Sequence, residues 1–224
     1  MIEIHTLELG QMDNFIYLIE DCETHQAAVV DPAWDAVAIT RYAEQKGLKI
    51  SAILLTHGHH DHINAVEPLQ QLTGAAVYVH QREALFFKMQ TFEFVAFEAG
   101  FILPLGESEV EAVETPGHTP GGVCYSAGEH LVTGDTLFVF GCGRCDLEGG
   151  DPRQMYQSLK QLVASFAPSA RIYPGHNYSV QSSSTLAEEV EGNPFLACSN
   201  EESFVHYRMV EHDRVRNSPY GAVI

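Results

Sequence analysis

The sequence predicts an α/β fold in which mixed sheets are covered by helices. Three observations predict it. Short apolar runs bounded by turn residues recur in both halves of the 224-residue chain. Segments of helical spacing separate several of them. Hydrophobic residues make up 45% of the chain with no low-complexity tract, the composition of a globular protein long enough to bury a sizeable core.

The elements follow in order. Strands are predicted over 2–9, 15–20 and 27–31. AVAITRYAEQK at 36–46 has helical spacing and stops at Gly47, a C-cap glycine. The strand SAILLT at 51–56 comes next, then a helical run over 63–72 closed by Gly74, then the strand AAVYVH. Further on, strands are predicted over 109–115, 122–126 and 130–134. Asp151 as N-cap and Pro152 at the first position open a helix over 152–164. A strand over 170–173 runs into Pro174-Gly175-His176, and helices are expected over 183–190 and 200–212. There is no internal sequence repeat.

Charge narrows the function. Thirty acidic and 12 basic residues leave a net charge of −18. Such a surface repels polyanions, so neither nucleic acid nor an acidic membrane is an expected partner. The N-terminus MIEIHTLELG has no basic stretch followed by an apolar one, and runs such as AAVV and AILL are far too short to span a bilayer. A soluble, cytoplasmic protein is expected. Five scattered cysteines argue against a disulfide framework.

Residues 56–62, T-H-G-H-H-D-H, concentrate metal-binding side chains directly after a strand. On an extended loop residues two apart point the same way, so His57 and His59 are placed to grip one metal. Asp61 and His62, one step further, reach towards a second. Catalytic zinc takes three protein ligands and a water, so the set must be completed elsewhere. Three residues sit at strand ends with a glycine before them: His118 in TPGHTPG, Asp135 in LVTGDTLF and His176 in YPGHNY. His60 is set aside as a non-ligand.

His-x-His-x-Asp-His followed by Gly-His, Gly-Asp and Gly-His resembles the metallo-β-lactamase superfamily over about four-fifths of the chain, to His176. GDTLFVFGCGR at 134–144 and QMYQSL at 154–159 look most like its glyoxalase II branch, the hydroxyacylglutathione hydrolases. The resemblance implies a four-layer αββα sandwich over 1–180 and a short helical C-terminal extension over 181–224. It implies two divalent ions, with zinc preferred to iron or manganese. His57, His59 and His118 would hold the first, and Asp61, His62 and His176 the second, with Asp135 bridging. The reaction implied is attack of a metal-bound hydroxide on a small thioester, an S-acyl glutathione first of all, with Asp61 and Asp135 as the catalytic carboxylates. Arg144 either holds a substrate carboxylate, as the matching basic residue does in glyoxalase II, or is a surface arginine. Oligomeric state stays open.

Three other readings share the residues. GCGRCD at 141–146 and STLAEEVEGNPFL at 184–196 also resemble persulfide dioxygenases, in which His57, His118 and Asp135 would hold a single iron. A purely structural metal module would need closed coordination, which so many strand-end ligands do not suggest. Cys142 and Cys145 spell C-x-x-C, but no thioredoxin-like context makes them a redox pair. Arg208, Arg214 and Arg216 crowd the C-terminal region, where a solvated helix face is expected in preference to an anion pocket.

Overall fold

The computed structural model describes residues 1–215 and 219–222. β1 (Ile2–Leu9), β2 (Asn14–Asp21) and β3 (Gln26–Val30) form an antiparallel meander. α1 (Ala36–Lys46) then crosses over to β4 (Lys49–Leu54), which pairs parallel to β3. Asp35 caps α1 through Ala38 N, and Gly47 ends it at φ +70°. A second crossover carries α2 (His60–Ile63) and α3 (Val66–Thr73) to β5 (Ala76–His80), and a third carries α4 (Gln81–Phe86) to β6 (Val95–Phe97). The first sheet therefore has the order β1-β2-β3-β4-β5-β6.

The chain next lays down β7 (Ile102–Leu105), β8 (Ser108–Glu114), β9 (Val123–Ala127) and β10 (His130–Gly134) as antiparallel neighbours. A small hairpin, β11 (Leu137–Phe138) and β12 (Gly141–Cys142), leads to α5 (Pro152–Ser165). That helix is the crossover to β13 (Arg171–Pro174), parallel to β10, and β14 (Ser184–Thr185) closes the edge. The second sheet has the order β14-β13-β10-β9-β8-β7. α6 (Leu186–Gly192), α7 (Glu201–His206), a π-helical turn (Tyr207–Glu211) and α8 (His212–Val215) complete the described chain.

The strand period of two explains the layering. On β2, Ile16 and Leu18 face the helices with Ile39 and Leu69, while Phe15, Tyr17 and Ile19 face the second sheet with Val110 and Tyr125. The far face of the second sheet packs Leu131 and Ile172 on Leu159 and Phe204. The result is helix, sheet, sheet, helix: the expected αββα sandwich. Each large apolar side chain buried this way contributes on the order of 1.5–3 kcal/mol.

Several expectations are corrected. The helix over 63–72 arrives as two pieces, α2 and α3, because Pro68 lacks an N–H and its ring opposes a helical carbonyl four residues back. Ser184 and Thr185 are an edge strand, so the next helix starts at Leu186, where Thr185 forms a capping box with Glu188. The helix over 200–212 contains the π turn. α4, β6, β7 and the hairpin were not anticipated. Among the described residues no helix is long and apolar enough to cross a membrane.

Candidate metal centre

All of the predicted ligands gather at one edge of the sandwich. β4 delivers His57 to His62, β8 leads to His118, β10 to Asp135 and β13 to His176. These four strands all end at that edge. The cluster itself is not one extended loop. His59 is extended at φ −66°, ψ 143°, whereas Asp61 and His62 lie in the single turn of α2.

Two triads result. Ligand atoms of His57, His59 and His118 lie within 4.8 Å of one another, and so do those of Asp61, His62 and His176. Asp135 stands between them. Its Oδ2 is 3.5 Å from Nε2 of both His118 and His176, and its Oδ1 is 3.5 Å from His62 Nε2. His60 is exposed and belongs to neither triad.

Hydrogen bonds behind the rings settle their tautomers. His118 Nδ1 donates to Arg144 O at 2.7 Å, and His176 Nδ1 donates to Met12 O at 2.8 Å. His62 Nδ1 donates to Asp31 Oδ2 at 3.0 Å. Thr56 gives its hydroxyl proton to Asp31, so its oxygen accepts from His57 Nδ1 at 3.0 Å. When these four rings are neutral, Nε2 is left facing the centre with a lone pair. Outer partners of this kind fix the orientation of metal-binding histidines.

The donor set fits divalent ions. His57 Nε2 and Asp135 Oδ1 are buried and have no hydrogen-bond partner among the described residues. His118 Nε2 lies 2.9 Å from His59 Nδ1, and His62 Nε2 lies 3.1 Å from His176 Nε2. Nitrogen lone pairs brought this close repel unless a proton or a metal ion lies between them. Such a mixed imidazole and carboxylate set suits zinc, iron or manganese.

The two triads differ electrostatically. Burial pulls His57 and His118 down and, with the neighbouring His118, holds His59 at about 4. These rings are neutral at neutral pH. Burial also resists charging of His62, but the carboxylates of Asp135, Asp31 and Asp61 outweigh it and lift that ring to about 9. Burial likewise opposes ionisation of Asp135, and His176 and His62 outweigh it, holding the carboxyl well below the usual range.

Glycines make the approach possible. A Cβ on Gly175 would stand 2.4 Å from Asp135 Oδ1, and one on Gly134, at φ +48°, would stand 2.5 Å from Thr56 Oγ1.

Sequence reasoning missed three supporting residues. Asp31 ties Thr56 and His62 together, and its signal was an acid placed directly after the apolar strand AAVV. Asn14 donates to Asp61 Oδ2 at 3.1 Å. Glu83, fully buried on α4, accepts Gly58 N–H and Gly121 N–H. For Asn14 and Glu83 the sequence carried no signal.

A cavity of about 940 Å³ opens onto the centre. His59, Asp61, His118, Asp135 and His176 line one side, and Arg144, Arg208 and Tyr220 also contribute. Arg144 is half-exposed, and its guanidinium forks onto Asp146 at 2.7 and 2.8 Å. Arg208 contradicts the solvated-face expectation: it is only 6% exposed, because the π turn directs it inward over Phe195. Arg214 lies in α8, and Arg216 lies outside the described residues. Cys142 and Cys145 are buried, and burial raises both thiols, that of Cys145 to about 12, so neither is a thiolate at neutral pH.

Comparison with known proteins agrees with this geometry. The family model for the metallo-beta-lactamase superfamily matches residues 9–176. The chain is 35% identical over 211 residues to a probable polyketide biosynthesis zinc-dependent hydrolase, BaeB, of Bacillus velezensis, covering 91% of this chain and 94% of that protein. It is 40% identical over 192 residues to a hydroxyacylglutathione hydrolase of Pseudomonas fluorescens, covering 85% and 71%. The crystal structure of ETHE1 from Myxococcus xanthus superposes with a TM-score of 0.83 at 29% identity, covering 92% and 89%. The chain thus belongs to the metallo-beta-lactamase superfamily, among its glyoxalase II-like hydrolases.

Proposed function

We propose that the protein hydrolyses a small thioester, an S-acyl conjugate of glutathione or a similar thiol, using two divalent ions, preferably zinc. The observation that carries this reading is the place of Asp135, one carboxylate within 3.5 Å of His118 in one triad and of His62 and His176 in the other. In this reading His57, His59 and His118 would hold one ion and Asp61, His62 and His176 the second, with Asp135 available to both. Divalent ions so held acidify a bound water and polarise a carbonyl oxygen.

The chain supplies the rest. Outward N–H bonds keep His57, His62, His118 and His176 in the ligating tautomer. Asn14 steadies Asp61 Oδ2 beside Nε2 of His62 and His176, where the carboxylate would also orient the attacking water. A thioester releases a thiolate, which leaves without prior protonation at neutral pH. The acids around the centre therefore hold and orient. Residues 1–180 form the catalytic domain in this reading. The extension over 181–224 walls the cavity through Arg208, Pro219 and Tyr220. Arg144, at the same cavity, is a candidate for the carboxylate of the thiol half once released from Asp146.

The hydroxyacylglutathione hydrolase relatives support a glutathione thioester, and the polyketide-associated relatives support a wider range of acyl and thiol halves. A cytoplasmic setting belongs to this reading, and the unpaired thiols of Cys124, Cys142 and Cys145 support it. Asp135→Ala tests the assignment. Bound metal and thiol release from S-lactoylglutathione are expected to fall together, and full activity in that variant would overturn it.

A second reading, a persulfide dioxygenase with one iron on His57, His118 and Asp135, draws on one contact. The two stretches that resemble those enzymes meet, since Asn193 Nδ2 donates to Gly141 O at 3.0 Å. Oxygen uptake with glutathione persulfide by iron-loaded protein, without thioester hydrolysis, would favour it.

A further inference from the structure

We propose that Glu3, His5 and Glu20 form a peripheral binding site for a divalent transition-metal ion, above all zinc, which pins the edge strand β1 to β2 and α1. The site is separate from the centre. Asn14, at the start of β2, touches Asp61. Glu20 stands six residues further along that strand, about 20 Å away at the usual strand rise.

The sheet register brings the groups together. Glu3 and Glu20 are direct partners across β1 and β2. Directly opposed residues share a face, and His5, two residues beyond Glu3, shares it too. Ligand atoms of all three lie within 4.8 Å of one another. His5 Nε2 is 2.6 Å from Glu20 Oε2. On the far side of the same ring, His5 Nδ1 is 3.2 Å from the hydroxyl of Tyr42 on α1. An outer partner on Nδ1, with Nε2 turned to a carboxylate, is also how His118 and His176 are held at the centre. A second imidazole is at hand. His25, in the β2–β3 turn, has its Nδ1 2.8 Å from the other Glu20 oxygen, Oε1.

The charges call for a cation. Like charges directly opposed across an antiparallel pair destabilise it. His5 and Glu20 are only 8% and 6% exposed, so water screens little on the inner side. Neutral imidazoles satisfy hydrogen bonds but leave two carboxylates facing each other in a chain of net charge −18. A divalent ion offsets both and takes imidazole nitrogen and carboxylate oxygen together, a donor set that suits zinc. Entry needs no unfolding, because Glu3 is exposed and the His25 side chain is 62% exposed. The same openness makes the site weaker than the buried centre, so it fills after it.

Counting zinc tests this. Metal-stripped protein is dialysed against zinc buffered in the micromolar range, and metal per chain is measured. The wild type is expected to bind one zinc more than His5→Gln, which keeps a polar side chain but removes the imidazole. Glu3→Gln changes an exposed residue that folding tolerates. It should weaken the last ion by at least about tenfold, the loss that even outer partners cause. Glu109→Gln removes an exposed acid on β8 and should leave that ion unchanged. In the wild type the ring-nitrogen NMR signal of His5 Nε2 should shift as the last ion binds. Equal counts in the wild type and H5Q, or the same affinity in E3Q and E109Q, would mark a hydrogen-bonded network only and overturn the proposal. Should H5Q not fold, the comparison of E3Q with E109Q decides. Every variant keeps the centre intact, so the difference is independent of how many ions the centre holds and of the reaction it performs.

Discussion

The indole N–H of Trp34 donates to Oδ1 of Asn14 at 2.8 Å and decides which end of that amide faces Asp61. Indole only donates, so the Asn14 oxygen must point to Trp34 and its NH₂ to Asp61, where it lies 3.1 Å from both O and Oδ2. Trp34 is itself fixed, at φ +70°, with its backbone N–H donating to Asn64 Oδ1 at 2.6 Å. Trp34→Phe keeps a ring and removes the donor. Affinity for one of the two ions is expected to fall about tenfold or more while the other is spared, as read in a zinc titration. Two ions bound as in the wild type would contradict this.

Glu83 joins the two loops of the first triad. One oxygen accepts Gly58 N–H at 2.9 Å, between His57 and His59, and the other accepts Gly121 N–H at 2.6 Å, just past His118. In Glu83→Gln one of these N–H groups meets an NH₂ instead of an oxygen. Metal-free protein should lose about 1–3 kcal/mol of stability in a denaturant titration. Unchanged stability would show that the clamp is dispensable.

Gly175→Ala puts a methyl group where Asp135 Oδ1 now lies, 2.4 Å from the new carbon. Asp135 must turn away. Zinc affinity should drop by at least about tenfold, with both sites affected because the displaced carboxylate faces both triads. Loss confined to one site would argue against a shared Asp135.

Asp21 staples the sheets together, and its effect depends on pH. It lies at the end of β2 and accepts from Thr24 Oγ1 at 2.7 Å, from Glu107 N in the β7–β8 turn at 3.1 Å and from Ser108 Oγ at the start of β8 at 2.8 Å. These bonds, Thr24 first, hold its carboxyl below the usual range. A depressed folded value means that the stabilisation is complete above the unfolded pKa of about 3.9 and is lost as pH falls through the lower folded value. Asp21→Asn should therefore melt below the wild type at pH 7, with the gap closing below about pH 4. A gap that is constant with pH would show that charge has no part in it.

Much of the cluster was legible because the side chains it gathers are strand-end residues with flanking glycines. His57, His59, Asp61, His62, His118, Asp135 and His176 needed only pattern and spacing to be found. Their supports were not legible. Asn14 and Glu83 act through pairings 47 and 25 residues apart in sequence, which no local pattern encodes. The same holds for the fold. α1 was closed by Gly47 and α5 opened by Asp151, whose capping is local. β6 and β7 were missed because they are only three and four residues long, too short for an alternating period to show. Arg208 was misplaced for a related reason: a π turn rotates a residue off the face that a regular helical period assigns to it.

The most direct test of the two-metal thioesterase is thiol release from S-lactoylglutathione followed as zinc is added to metal-stripped protein. The predicted rate is near zero without metal and rises until two ions are bound per chain. A folded, fully loaded protein that releases no thiol would contradict the account at its centre.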